Sequence, residues 1–418
     1  MSNSIAKNAE LLSTILIGIL PLGLIIGTAV SESVIIIINV CFLVIFFARK
    51  DYSIIKIKEI SYLIIIWLYL LINCFTANDS NLAFNRSFFF FKYIILVLSV
   101  SLIFKSIYYK KIIFFSWSVI VSVVAIDIYF EFFFGKNLLG YVSADRTRIV
   151  SFMKDELRIG SLMLAFFFFV INFWNLTLIK KNISAKIVST IYLIEILIFI
   201  SIFLTGERVT SFKALLCSLI AIFFIKLHRK IFKIFLILIL PIALFFTSSN
   251  IKDRYRTAYF ELFAKDNVFY NSIHLAHYDA ALSIFKEYPL LGVGNKNFRI
   301  ECAKEKYENS KFIKTLGRCS THPHQIYLEI LSELGLIGFI LIFSFIFINI
   351  YKGIKIFLKN KDLILLSSIL YLLSSFIPLL PSGSFFSSFN ATIFWINFSI
   401  MLSFIINRKT QINDTKII

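Results

Sequence analysis

The chain has 418 residues, of which 59% are apolar and only 16% charged. Soluble domains carry roughly 45–50% apolar and about 25% charged residues, so an ordinary soluble enzyme is excluded. The 49 Phe against 14 Gly exclude collagen-like and flexible low-complexity chains. The formal charge of +19 would suit a polyanion such as nucleic acid. Its Lys and Arg, however, sit mainly in short linkers between apolar runs, where membrane proteins gather them on the cytoplasmic side, and no nucleic-acid partner is needed.

Runs such as Val34–Phe47 and Ile234–Phe246 are almost continuously apolar, unlike the alternating segments of about ten residues that build a membrane β-barrel. In chain order the predicted spans are 11–30, 33–48, 60–76, 88–104, 112–133, 159–179, 187–204, 209–225, 234–248, 328–350, 363–382 and 391–407. Ala29-Val30-Ser31 has the small-residue spacing of a signal-peptidase site. A signal peptide has an apolar core of about 7–15 residues; this run is longer and reads as a retained first span.

The linkers Arg49–Glu59, Lys105–Lys111, Lys180–Lys186, Lys226–Lys233 and Tyr351–Asp362 each hold three or four Lys or Arg, whereas 31–32, 77–87 and 205–208 hold only Arg86 and Arg208. The positive-inside rule then predicts that both termini are cytoplasmic. The expected fold is an all-α integral membrane protein of about 12 transmembrane helices, with a large outer helical loop before the tenth. Residues 1–248 would form the first nine helices, 249–327 the loop, and 328–418 the last three with a cytoplasmic tail.

Two outer segments are too long for simple turns: Phe134–Arg158, with Arg146, Arg148, Asp155 and Glu156, and the Tyr-rich Ser249–Gln325. Long polar insertions are where function concentrates. In the second, Val268–Glu287 has helical spacing and stops at Tyr288-Pro289. No internal repeat is visible, so the inverted-repeat signature of many transporters is missing. Lys92, Asp127, Glu195 and Lys213 lie inside spans. Mutual pairing or capping explains them best, with a proton or substrate pathway as the alternative.

Four of the five histidines (His274, His277, His322 and His324) fall in the Ser249–Gln325 segment, and His228 sits among basic residues elsewhere. Histidine suits proton transfer near neutral pH. The competing readings are ordinary surface residues, or a four-imidazole metal site whose spacing matches no standard zinc signature. Cys41, Cys74 and Cys217 lie in apolar runs, whereas Cys302 and Cys319 share the polar segment. A disulfide there would stabilise the loop by about 3 kcal/mol and pin the chain leading into His322 and His324.

The stretch Thr321-His322-Pro323-His324-Gln325-Ile326-Tyr327-Leu328-Glu329, followed by Leu334-Gly335-Leu336-Ile337-Gly338, resembles the signature of the O-antigen ligase/polymerase family. His324, Gln325, Gly335 and Gly338 fit it position by position. Tyr288–Phe298 is similar to the family's Pro-Leu-Leu-Gly-Val-Gly segment, and Thr205-Gly206-Glu207-Arg208 to its Ser-Arg turn between two spans. The resemblance implies transfer of a glycan from undecaprenyl diphosphate to an acceptor hydroxyl, at the periplasmic face of a bacterial inner membrane, without metal or cofactor. The acceptor would be lipid A-core for a ligase or a growing glycan for a polymerase; the sequence separates neither these two nor the sugars.

In that reading Arg208 meets the diphosphate, because Arg pairs bidentately with phosphate, and His324 is the general base. Gln325, His322 and Arg318 are further substrate-binding candidates. Where such proteins often carry a second Arg, four residues before a Trp, this chain has His274 before Tyr278. A neutral His cannot replace the permanent bidentate contact of Arg, so Arg254, Arg256, Arg299 or Arg318 would share the donor. Gly335 and Gly338 read as close-packing positions in the span. The chain has no Asp-x-Asp pair, Walker A sequence or dinucleotide fingerprint. A lipid-linked glycan flippase is the second function class; it would explain the buried charges but not the histidine-rich outer segment.

Overall fold

The structure is a computed structural model and describes residues 2–50, 57–145, 147–154, 156–178, 184–224, 230–263, 273–308 and 317–414. His228, Arg146, Asp155 and the start of the predicted 268–287 helix lie outside these residues. All described regular structure is helical. α1 (Ser2–Ile26) and α2 (Thr28–Arg49) form a hairpin that breaks at Gly27, not at 31–32. Gly27 has φ 152°, a value glycine adopts without a Cβ penalty. α3 (Lys58–Asn73) is followed by α4 (Ser80–Phe88) and α5 (Phe91–Ile103). The expected linker 77–87 is therefore mostly helix, because Asp79 caps α4 by accepting from Leu82 N–H at 2.9 Å.

α6 (Ile107–Phe134), α7 (Ile159–Leu178), α8 (Ala185–Leu204), α9 (Arg208–Phe224) and α10 (Lys230–Thr247) continue the bundle. α11 (Ser249–Phe263) leaves α10 at 98°. α12 (Ile273–Glu287) and the short α13 (Phe298–Glu301) belong to the polar segment, and α14 (Ile326–Asn360), α15 (Leu363–Ser375) and α16 (Ser388–Asp414) complete the chain.

Among the described residues nine helical stretches are long and apolar enough to cross a membrane, or ten with the bent α10–α11 pair. The protein is an all-α polytopic membrane protein. Of the remaining expected spans, α9 has 17 residues and α15 only 13. At about 1.5 Å per residue α15 reaches roughly 20 Å, short of a hydrocarbon core of about 30 Å. The helix expected to run to 382 stops at Ser375 because Pro378, Pro381 and Gly383 follow. Residues 376–387 become a non-helical strap instead.

The core is aromatic: fully buried Trp117 packs on Phe166 and Phe169, with ring centroids 4.8 and 5.2 Å away, and donates its indole N–H to the Ile17 carbonyl at 2.9 Å. Three of the four charges expected inside spans, Lys92, Glu195 and Asp127, pair or cap, though not with one another. Lys92 meets Glu32, Glu195 meets Lys233, and Asp127 accepts from Leu138 N–H at 2.7 Å and the Ser151 hydroxyl at 2.5 Å. Glu131 likewise accepts from Val150 and Ser151 N–H at 3.1 and 2.6 Å, so two carboxylates of α6 organise the chain leading to α7.

The irregular segments meet at one end of the bundle. Asn73 donates to the Leu291 carbonyl at 2.6 Å, Ile149 N–H to Thr205 at 3.2 Å, and Ser382 N–H to His324 at 2.8 Å. Arg158 lies 5.4 Å from the Phe389 ring. The polar segment docks on a kink in α14, where Gly335 has φ 64° and ψ −170°. Val293 and Gly294 donate to the Ser332 and Glu333 carbonyls at 3.0 and 2.8 Å; Leu336 and Ile337 donate back to Pro289 and Leu290 at 2.8 and 3.2 Å.

A Cβ at Gly335 would lie 2.3 Å from the Leu290 carbonyl carbon, and one at Gly338 2.8 Å from Tyr69 Cε1. Gly335→Ala should therefore cost at least about 2 kcal/mol, from positive φ and clash together. Gly23→Ala, whose Cβ would sit in ordinary contact at 3.5 Å, serves as the control. Thermal unfolding in detergent should show a lowered midpoint for the first variant alone, and an unchanged midpoint for Gly335→Ala would contradict the docking described.

Candidate functional site

α12 presents His274 and His277 three residues apart, on one helix face, with ring centroids 6.5 Å apart. The loop before α14 brings in the other two. The His324 ring lies 5.4 Å from His274, 5.3 Å from His277 and 4.1 Å from His322. Three imidazoles thus gather around that of His324. Among the described residues no three His, Cys, Asp or Glu side chains converge in a metal-ligand arrangement.

Burial lowers the pKa of His277, His322 and His324 to about 4 each. Neighbouring positive charge adds to it: the other imidazoles act on His277 and His324, and Lys296 on His322, while Glu329 partly opposes the shift at His324. These three rings are neutral near pH 7. The His322 Nε2 lies 3.3 Å from the Ser382 carbonyl, which only accepts, so we assign the proton to Nε2; Nδ1 then accepts from the Thr321 hydroxyl at 3.1 Å. His324 Nε2 lies 3.1 Å from Ser320 Oγ, which shows that a hydroxyl fits against this nitrogen. The His324 backbone is left-handed, with φ 57°, a conformation costing a non-glycine residue about 1–3 kcal/mol.

Four other predicted residues have structural duties. Gln325 caps α14, its carbonyl oxygen accepting from Leu328 N–H at 2.8 Å. Arg318 donates to the Cys302, Ala303 and Lys304 carbonyls at 2.9, 3.0 and 3.0 Å. Cys302 and Cys319 are joined in a disulfide, Cα atoms 5.4 Å apart. Arg318 and the disulfide both tie the chain entering the histidine loop to the end of α13. A small core of Ala280, Ala281, Ile284, Val293, Phe298 and Cys302 beneath them seats α12 against α14.

Arg208 is the first residue of α9, where the helix dipole favours anions. Its guanidinium reaches the Arg254 carbonyl at 3.5 Å, and Arg254 Nε donates to the Gly206 carbonyl at 3.3 Å, so α11 brings a second guanidinium to the same turn. Glu207 fixes that turn, accepting from Gly160 N–H at 2.7 Å and from the Ser161 and Thr210 hydroxyls at 2.8 and 2.9 Å. Its burial raises its pKa against these bonds. Gly206, φ 72°, allows the close approach: a Cβ would lie 2.5 Å from the Thr147 carbonyl oxygen. Arg299 sits nearer the histidines, donating to the Thr321 carbonyl at 3.3 Å.

The sequence reading missed Glu207 and a buried group beside the histidines: Lys296, Glu329, Glu333 and Ser384. A signal for two of them was present, since Glu329 and Glu333 are ionisable residues in an otherwise apolar run.

A helical membrane bundle with clustered imidazoles and a turn that carries two Arg side chains defines a class, a polytopic membrane protein with a polar candidate site. Residues 193–343 match the family model described as O-antigen ligase. The match supports assignment of the chain to the O-antigen ligase/polymerase family, and with it an O-antigen ligase or polymerase type of function in polysaccharide biosynthesis. No curated protein matches the sequence.

Were His324 the general base, its depressed pKa, about 4, would have a kinetic consequence. A base must be neutral to act, and kcat/KM reports the free enzyme. Activity should therefore hold from pH 8 down to roughly pH 5 and fall only as the pH approaches about 4, in contrast to the ordinary His value of about 6.5. A pH profile of kcat/KM in nanodiscs tests this; an acid limb centred near 6.5 would contradict the environment described.

Proposed function

We propose that the protein transfers a glycan from undecaprenyl diphosphate to an acceptor hydroxyl. His324 takes the hydroxyl proton as its oxygen attacks the anomeric carbon, and the bond from that carbon to the diphosphate oxygen breaks. The diphosphate leaves with the electron pair, against Arg208 and Arg254. The observation that carries the reading is the cluster of neutral imidazoles around His324, at the end of the bundle that also holds the Arg208 turn. Diphosphate is a good leaving group needing little acid help, whereas a sugar hydroxyl is a poor nucleophile that gains about 10²–10⁴-fold from a general base.

His274 stands 5.4 Å from His324, between ring centroids, and would add a second contact to the donor. His322, held by Thr321 and Ser382, shapes the pocket around His324. The reaction proposed uses no metal or cofactor, since the charge it develops is met by guanidinium groups.

This reading puts both termini in the cytoplasm and the histidine end in the periplasm of a bacterial inner membrane, and the basic linkers support it. Residues 1–248 and 328–418 then form the membrane scaffold and 249–327 the catalytic loop. The partners are the lipid-linked donor, lipid A-core or a growing glycan as acceptor, and the surrounding lipids. The lipopolysaccharide ladder of a deletion strain separates the two acceptors: lipid-linked polymer accumulating without transfer means ligase, and a single repeat capping the core means polymerase.

His324→Ala should reduce transfer by about 100-fold or more at unchanged expression, and Arg208→Lys should be damaged because it loses bidentate pairing. Near-normal transfer by a well-inserted His324→Ala protein would remove His324 from the chemistry.

Transfer should also survive exhaustive EDTA treatment without added divalent ions. Loss of activity restored by zinc would favour an imidazole-bound metal instead.

A further inference from the structure

Glu329 and Glu333 lie one turn apart at the start of α14, both with 0% exposure. Glu333 accepts from the Lys296 and Phe298 backbone N–H groups at 2.8 and 3.3 Å. Glu329 instead grips the strap after α15: Oε2 accepts from Phe385 N–H at 2.8 Å and Oε1 from the Ser384 hydroxyl at 2.5 Å. The Lys296 ammonium, 3% exposed as a residue, lies 3.4 Å from Glu329 Oε1 and also hydrogen-bonds Ser384. Two residues earlier the same strap holds both histidines: Ser382 N–H donates to the His324 carbonyl at 2.8 Å, and the Ser382 carbonyl faces His322 Nε2 at 3.3 Å.

We infer that Glu329, with Lys296 as its counter-charge, is a positioning residue that sets the strap and, through it, the strained backbone of His324 and the ring of His322. The inference rests on the reading of His324 as the base. Buried ion pairs contribute little net stability compared with apolar replacements, so stability alone does not explain a charged group here. Geometry does. A carboxylate accepts on both oxygens and so can hold a hydroxyl and a backbone N–H together while facing an ammonium. Glutamine offers only one acceptor oxygen, and its amide group would point a donor at either Phe385 N–H or Lys296. Without the Ser382 bond, the left-handed His324 has a more favourable extended conformation to relax into, which would carry its imidazole away from the acceptor.

The test reconstitutes the full-length protein in nanodiscs, with undecaprenyl-diphosphate-linked oligosaccharide as donor and lipid A-core plus the same lipid-linked oligosaccharide as acceptors. Glu329→Gln should lower kcat by about 30–100-fold, the scale expected for a base misplaced by about 1 Å, with donor KM within about three-fold. Glu329→Asp should recover part of the loss. The double variant Glu329→Gln, His324→Ala should be no slower than His324→Ala alone, because both act through one group. Multiplying effects, or a Glu329→Gln kcat near wild type while His324→Ala is inactive, would overturn the inference. A fully active His324→Ala would instead remove the base assignment on which it stands. If Glu329→Gln does not fold, Ser384→Ala takes its place, with an expected loss of about 3–10-fold in kcat and the same non-additivity; a wild-type rate for it would overturn the inference.

Discussion

Irregular backbone inside a membrane bundle has no water to satisfy it, so each N–H and C=O must find a protein partner. The exchange of hydrogen bonds between 289–294 and the Gly335 kink meets that constraint. The kink opens the α14 ladder, and the freed groups at Ser332, Glu333, Leu336 and Ile337 pair with a segment that is not itself helical. Much else depends on this joint. Gly292 and Gly335 face each other because a side chain on either would strike backbone across it. Glu333 reaches over to hold 296–298, and α13 with its disulfide follows directly.

The site itself balances two opposite electrostatic environments. Around His324 burial and neighbouring imidazoles keep the rings neutral, suited to accepting a proton. Around Arg208 the helix start and the second guanidinium of Arg254 keep the environment positive, suited to an anion.

The shortness of α15 supports the same arrangement. A full-length helix there would carry the chain straight through to the start of α16 and leave no strap. Pro378, Pro381 and Gly383 end the helix early, and the liberated residues pass beneath the histidine loop, where Ser382, Ser384 and Phe385 become its supports.

The apolar runs, the basic linkers and the helix breaks at Tyr288-Pro289 are local properties, so the all-α membrane class and most helix positions were legible from residue order alone. His324 and Arg208 were singled out as candidates from residue order too, through motif resemblance and the chemistry of their side chains. Boundaries set by a single glycine or proline were less so: Gly27 and Pro378 moved them by several residues. The partners of Gln325 and Arg318, a helix N-terminus and three carbonyls, were not legible because they exist only once the loop is folded. Lys296, Glu329, Glu333 and Ser384 are up to 88 residues apart in the chain, and no local pattern joins them. Their meeting depends on the Gly335 joint and the α15 strap, because burial of charge is a property of what packs around a residue, not of its neighbours in sequence.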